Sequence, residues 1–270
     1  MLDFSQSLAL SPISDDVFAA HTDPDYFMRT GPYGGWVAAI LLKAALSHDT
    51  AKTLSDPVSI TISFLAPIIA SQFRLVITPQ KLTRTLCFLR VDARQDIDGS
   101  DELAASALVI LGPRRGDIHL ADISAPKDLP PPESVAAFAP LATMPAFFSR
   151  YQLRYITSPP FIENPTAHSL IYARDNPARP LDVLSLAALC DVSPPRPFFR
   201  GAMVAPFATV SMSVYFQTSA ADIAAVGADE VLIDARMRQA KAGFSDQTLE
   251  IWSQSGVLLA SSEQMCWFRG

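Results

Sequence analysis

The sequence is poor in the residues from which disulfide frameworks and metal sites are built. Its 270 residues hold three cysteines and four histidines. Cys87, Cys190 and Cys266 all lie inside apolar segments, and their odd number and wide spacing argue against disulfide pairing or a zinc site. A reducing compartment is the simple expectation. No apolar run is long enough to span a bilayer. The first residues, MLDFSQSLAL, carry an acid where a secretory signal would place lysine or arginine, so a cytosolic protein is expected. A net charge of -6 gives no electrostatic footprint for nucleic acid or an anionic membrane surface, and an anionic ligand would need a local basic patch. There is no Gly-x-Ser-x-Gly elbow, phosphate loop, dinucleotide fingerprint or metal-ligand cluster, so neither a cofactor nor a metal is expected.

What is present describes an ordered, core-rich chain: 49% hydrophobic and 18% charged residues. Its focus is Arg179–Pro195, RPLDVLSLAALCDVSPP. Apolar residues three and four apart, on most faces, predict a buried helix over Leu181–Asp191. Pro180 suits a first turn, and Pro194 and Pro195 cannot continue a helix. That places Asp191 in a last turn, where burial and the negative helix end both raise a carboxylate's pKa. Such a residue needs hydrogen-bond partners or a chemical task.

Along the rest of the chain, Val17–Ala20 and Tyr26–Met28 read as short strands. The turn Thr30–Trp36 leads into helix formers over Val37–Leu46. Val58–Phe64 alternates strictly and is a strand, followed by strands at Phe73–Thr78, Thr85–Arg94 and Ala104–Leu111. Pro113–Pro145 is a proline-rich surface linker. The second half then repeats the first: strands Tyr151–Ile156 and Ser169–Ala173, the helix, then strands Ala208–Phe216, Glu230–Arg238, Phe244–Ser253 and Val257–Phe268. An internal repeat of this length sets the architecture. Residues 1–112 and 146–270 form two α+β units, each a long antiparallel sheet wrapped round one helix, joined by the linker at 113–145.

Twice-repeated helix and meander, with four motifs in order, resemble the double hotdog proteins of the acyl-CoA thioesterase II family. The motifs are Gly34-Gly35 at the start of the first helix, Asp191 in LAALCDV, Thr209 in ATVSMSVYF and Gln264 in LLASSEQMC. The chain departs from the family after the threonine, where Ser211-Met212 stands for an acid–histidine pair, and at Gln217, where a histidine is common. The resemblance implies acyl-CoA as substrate, with Asp191, Thr209 and Gln264 as catalytic residues and Gly34 and Gly35 at the substrate. A carboxylate, a hydroxyl and a carboxamide together can hold one water as acceptor, donor-acceptor and donor. Asp191 would take the water's proton, and helix-start N–H groups would suit the oxyanion.

Other readings stand beside this one. Taken singly, Asp191 reads as a helix-end carboxylate bonded to backbone, Thr209 as a good strand residue, Gln264 as a strand polar residue, and Gly34-Gly35 as a tight turn. The same fold could be a silent acyl-CoA or fatty-acyl binding protein. Asp16 and His21 have the Asp-x4-His spacing of hotdog enoyl-CoA hydratases, although the intervening Val-Phe-Ala-Ala reads as a strand. His48, His119 and His168 are expected at the surface, and Arg84, Arg196 and Arg200 in loops that could meet phosphates. Trp36, Phe147, Phe148, Phe161, Phe198 and Phe199 are candidates to line an acyl chain. Exposed edge strands leave homo-oligomers open.

Overall fold

The computed structural model describes residues 3–52, 54–116, 118–157, 159–202 and 206–269. Short helix α1 (Phe4–Ser7), with an Asp3–Gln6 capping box, precedes strands β1 (Leu10–Ser14) and β2 (Val17–His21). Helix α2 (Gly34–Ser47) follows, then the long strands β3 (Pro57–Phe64), β4 (Gln72–Leu82), β5 (Cys87–Ile97) and β6 (Ser100–Leu111). The second half contains β7 (Tyr151–Tyr155), β8 (Ser169–Asp175), α3 (Val183–Leu189), β9 (Phe207–Phe216) and α4 (Ala220–Val226). It ends with β10 (Val231–Arg236), β11 (Ala240–Lys241), β12 (Phe244–Trp252) and β13 (Leu258–Phe268).

All of these strands belong to one antiparallel sheet, in the order β1-β2-β4-β5-β6-β3-β9-β13-β12-β10-β8-β7, with β11 beside β12. The order reads the same from either end: β3 and β9 meet in the middle, and each half runs outward through its last hairpin. Alternation explains which face each strand buries. In β9, Met212, Val214 and Phe216 point inward and are buried, while Ser211 and Tyr215 are exposed. Helices α2 and α3 pack against this inner face and against each other. A single apolar core joins them to both halves of the sheet.

Several boundaries differ from the sequence expectations. Tyr26–Met28 is no strand: Pro24–Tyr26 forms a 3-10 turn started by Pro24 and capped by the Asp23 side chain. Helix α2 begins three residues earlier than the helix formers suggest, at Gly34 itself. Helix α3 is shorter than Leu181–Asp191. The Asp182 side chain accepts from Leu184 and Ser185 N–H and so fixes the start at Val183, three residues after Pro180. The last helical residue is Leu189, and Asp191 N–H reaches Ala188 O at 3.1 Å in a tighter closing turn. Helix α4, with its Ser219–Asp222 capping box, has no counterpart in the expected elements.

The sheet edges are less open than the sequence suggests. The linker follows the β7 edge, where Phe138 N–H donates to Leu153 O at 2.7 Å and Arg154 Nη1 donates to Val135 O at 2.6 Å. At the other edge, β1 carries Pro12, which removes a donor a neighbouring chain would need.

Candidate active site

The site begins with a helix start that has no side-chain cap. Tyr33 occupies the N-cap position of α2 without a capping bond, and the first intrahelical bond is Val37 N–H to Tyr33 O. The N–H groups of the first turn therefore need an acceptor from elsewhere. Antiparallel packing supplies one, because the start of α2 abuts the end of α3. A methyl group on Gly35 would lie 2.3 Å from Ala188 O, and one on Gly34 would lie 2.7 Å from Asp191 Oδ2. The backbone carbonyl cannot give way, so glycine is required at Gly35, while any side chain at Gly34 would have to displace the Asp191 carboxylate.

Asp191 is half-buried and keeps some accessible surface. Burial pushes its pKa up to about 7, while hydrogen bonds from the Gln264 side chain and Gly35 N–H oppose the rise. Gln264, on β13, is itself buried. Its Oε1 accepts from Thr209 Oγ1 at 3.2 Å. With Oε1 thus engaged, the amide NH₂ is the end that faces the carboxylate. Asp191, Thr209 and Gln264, far apart in sequence, are therefore contiguous, and Gly34 and Gly35 lie against the first of them.

Thr209 reaches this cluster through an irregularity. Alternation carried back along β9 from Met212 would turn Val210 inward and Thr209 outward. Instead the pairing with β13 passes from Ser211↔Met265 directly to Thr209↔Cys266, leaving Val210 as the extra residue of a β-bulge. A bulge re-aims the side chain beside it. The Thr209 hydroxyl consequently lies 3.2 Å from Gln264 and 3.7 Å from Cys266 Sγ.

Three further groups surround Asp191. Burial pushes the Cys266 thiol up to about 11 and the Cys190 thiol higher, and the Asp191 charge adds to both shifts. Tyr33 is also pushed well above the ordinary phenol range, by burial first, then by Tyr151, with Asp191 contributing less. Sequence reasoning missed Tyr33 and Tyr151, whose hydroxyls are hydrogen-bonded to each other. The sequence signal available was a tyrosine immediately before the glycine pair.

Several expected site residues lie elsewhere or do something else. Asp16 bonds His48 Nε2 at 2.8 Å, and His21 is exposed at the far end of β2. An extended strand separates that pair by roughly 17 Å, so they cannot act together as a hydratase would need. His48 is not a surface residue. It is buried, with Nδ1 against Thr50 Oγ1 at 2.8 Å. His168 is half-exposed and bonded to Asp234 at 2.8 Å, whereas His119 is exposed. Arg196 is no loop cation for a phosphate. It is 1% exposed, donates to Ser169 Oγ at 2.8 Å, to Pro194 O at 3.0 Å and to Ser193 Oγ, and lies 3.9 Å over the Phe199 ring. Burial pulls its pKa down to about 9. Arg84 and Arg200 are exposed. Among the aromatics, Phe147 stacks on Tyr33 at 4.4 Å and on Phe148 at 4.3 Å, close to the site. Phe198 packs on Phe161 and, edge to face, on Phe207 at the start of β9. Trp36 turns into the first half's core, against Phe73 and Ser7.

A helix-bearing hotdog half present twice, with a polar cluster between the helices, defines a double hotdog protein. The sequence profile of the acyl-CoA thioesterase C-terminal domain matches residues 124–268, and that of the acyl-CoA thioesterase N-terminal domain matches residues 22–112. This chain belongs to the acyl-CoA thioesterase family and is a thioester hydrolase. Among solved structures it is similar to a conserved hot dog fold protein of unknown function from Alicyclobacillus acidocaldarius. That match has 34% identity and a TM-score of 0.91, over 99% of this chain and 98% of the other. The tesB protein of Mycobacterium avium subsp. paratuberculosis (20%, TM-score 0.80, 99% and 98%) shares the fold. So does the acyl-CoA thioesterase II TesB2 of Mycobacterium marinum (18%, TM-score 0.75, 98% of each chain). A comparison with curated protein sequences gave no match. No helix among the described residues is long and apolar enough to cross a membrane.

Proposed function

We propose that the chain hydrolyses acyl-CoA by direct attack of water, with Asp191 as general base. The observation that carries this reading is a half-buried carboxylate held between the start of α2 and the Gln264 carboxamide, where burial pushes its pKa up to about 7. A base poised near the working pH is most effective there. Asp191 accepts a proton from water while the oxygen adds to the thioester carbonyl carbon. The tetrahedral intermediate then expels the CoA sulfur, which takes the proton back from Asp191. Gln264 fixes the carboxylate, and Thr209 acts through Gln264, since its proton is committed to Oε1. Of the two glycines, Gly35 has its N–H on Asp191, which leaves Gly34 N–H as the donor for the oxyanion. Residues 146–270 thus supply acid, hydroxyl and amide, and residues 1–112 supply the helix start. The acyl chain runs alongside Phe147 and Phe148.

The test is thiol release from short, long and aromatic acyl-CoAs by the parent and Asp191→Asn. Release that falls by roughly 10² to 10⁴ in the folded variant supports the proposal. Saturable binding of the same ligands without turnover by the parent would replace it with a silent acyl-CoA binding protein.

A further inference from the structure

The proposed base is held by a contact between the two halves of the molecule, and something must keep that contact in register. Asp191 belongs to the turn closing α3, whose N–H bonds Ala188 O at 3.1 Å. Its donor, Gly35 N–H, belongs to α2, 156 positions away in sequence. Only packing joins the two. At the junction stands Tyr33. Its ring fills the space that a methyl on Gly35 would enter, with the nearest ring carbon 2.5 Å from that position. Its hydroxyl donates to Ala188 O at 3.3 Å, the carbonyl that also receives Asp191 N–H. Tyr151, at the start of β7, is hydrogen-bonded to the same hydroxyl, and Phe147 stacks on the ring's face. Both tyrosines are buried.

We infer that Tyr33, braced by Tyr151, is a positioning residue that clamps the turn carrying Asp191 to the N–H groups opening α2. The hydroxyl tethers one partner of the Gly35–Asp191 bond while the ring rests on the other. Losing the tether lets the two helix ends separate, weakens the Gly35 bond and shifts Asp191 toward its protonated form. The inference concerns the proposed base, but the tether can be tested whether or not the chain turns over acyl-CoA.

The groups facing Asp191 make its titration readable. From the N-cap of α2 comes Tyr33, from its own turn Cys190 and from β13 Cys266, all held neutral across pH 5 to 9 by burial. Arg196, charged through most of that range, acts on Cys266. None of these groups changes charge near pH 7.

The experiment follows the Asp191 carboxyl carbon by NMR in protein labelled with ¹³C-aspartate, the signal being assigned by its loss in Asp191→Asn. Parent, Tyr33→Phe, Tyr151→Phe and the double variant are titrated, with melting temperatures recorded alongside. The double variant removes both hydroxyls together and leaves neither buried partner unpaired. An upward move of the Asp191 midpoint in Tyr33→Phe and the double variant, and a smaller one in Tyr151→Phe, supports the clamp. If acyl-CoA turnover is present, the same variants lose about tenfold in kcat near pH 6.5 and much less near pH 9, with KM little changed. A midpoint that stays at the parent value in a folded Tyr33→Phe or double variant overturns the inference. An unmoved titration in an active parent rejects the clamp alone, whereas a moved titration in a parent without turnover rejects the hydrolase mechanism alone.

Discussion

The two halves of the sheet can be superposed by register, and what differs between them locates the site. Ser59–Ser63 of β3 pairs with Tyr215–Ser211 of β9 about a centre at Thr61 and Ser213, whose hydroxyls are 3.1 Å apart. That symmetry makes Val58–Phe64 the counterpart of Val210–Phe216. The bulge is duplicated as well: Pro57 faces Leu111 and Ser59 faces Ile110, so Val58 is skipped as Val210 is. Carrying the correspondence through, Pro57 stands where Thr209 is and Val109 where Gln264 is. Counting from the N-caps Tyr33 and Asp182 puts Leu42 where Asp191 is. One half has acid, hydroxyl and amide; the other has leucine, proline and valine, all buried. The backbone device that turns a side chain inward is kept in both halves, so the bulge alone does not make a site. The proposed chemistry needs polar residues on one half and a bare helix start, with glycines, on the other.

Grafting the acid onto the apolar half should produce the largest effect. Leu42→Asp would bury a carboxylate with Val183 and Leu184, rather than glycines, at the matching helix start. We expect a loss of at least about 3 kcal/mol in urea unfolding, with no second activity. A variant as stable as the parent would show that the start of α3 offers free donors to a carboxylate there. Removing the close approach should come next. In Gly34→Ala the new methyl meets Asp191 Oδ2 and the Phe64 ring, at 2.7 and 3.3 Å. Turnover should fall by roughly 10- to 100-fold through displacement of the carboxylate. Val183→Ala, its counterpart in the other half, should leave turnover nearly unchanged. Equal losses in both variants would contradict an asymmetric site.

The smallest effect is a pH dependence. The Asp191 pKa is raised in the folded protein, from the ordinary 3.8 to about 7. Between those values the native state holds a proton that the unfolded chain has released. Stability therefore falls as pH rises from about 4 to 7, and is level above. The loss should amount to roughly 1–3 kcal/mol, because Asp191 keeps some contact with solvent. Asp191→Asn should abolish this slope and be the more stable protein at pH 8, as measured by denaturant midpoints at each pH. Leu42→Ala, which lowers stability in the other half, should keep the slope. A slope that persists in Asp191→Asn would assign it to another buried acid such as Asp175, also raised by burial.

Much of the strand pattern was legible because alternation is a local property: β3, β9 and the two final hairpins show it residue by residue. The contiguity of Asp191, Thr209 and Gln264 was legible only through resemblance to a family. Alternation by itself would have left Thr209 on the outer face with Ser211 and Tyr215, since a bulge leaves no mark in a polar–apolar pattern. His48 and Arg196 were misread for a related reason. Each is polar and follows an element's end, which locally suggests exposure, but each also bonds a segment distant in sequence, Asp16 for His48 and Ser169 for Arg196. Tyr33 and Tyr151 lie 118 positions apart, and nothing near either one announces the other.

The sequence by itself determined the two repeats, the alternating strands, the helix-forming segments and the supply of one acid, one hydroxyl and one amide in the second half, because these follow from periodicity and residue type. Tertiary structure alone decided that the start of α2 lies against the end of α3, that a bulge turns Thr209 toward Gln264, and that Asp191 titrates near neutrality. The physical reason is that a pKa and a hydrogen bond depend on what surrounds a group in space. Here those surroundings come from opposite ends of the chain.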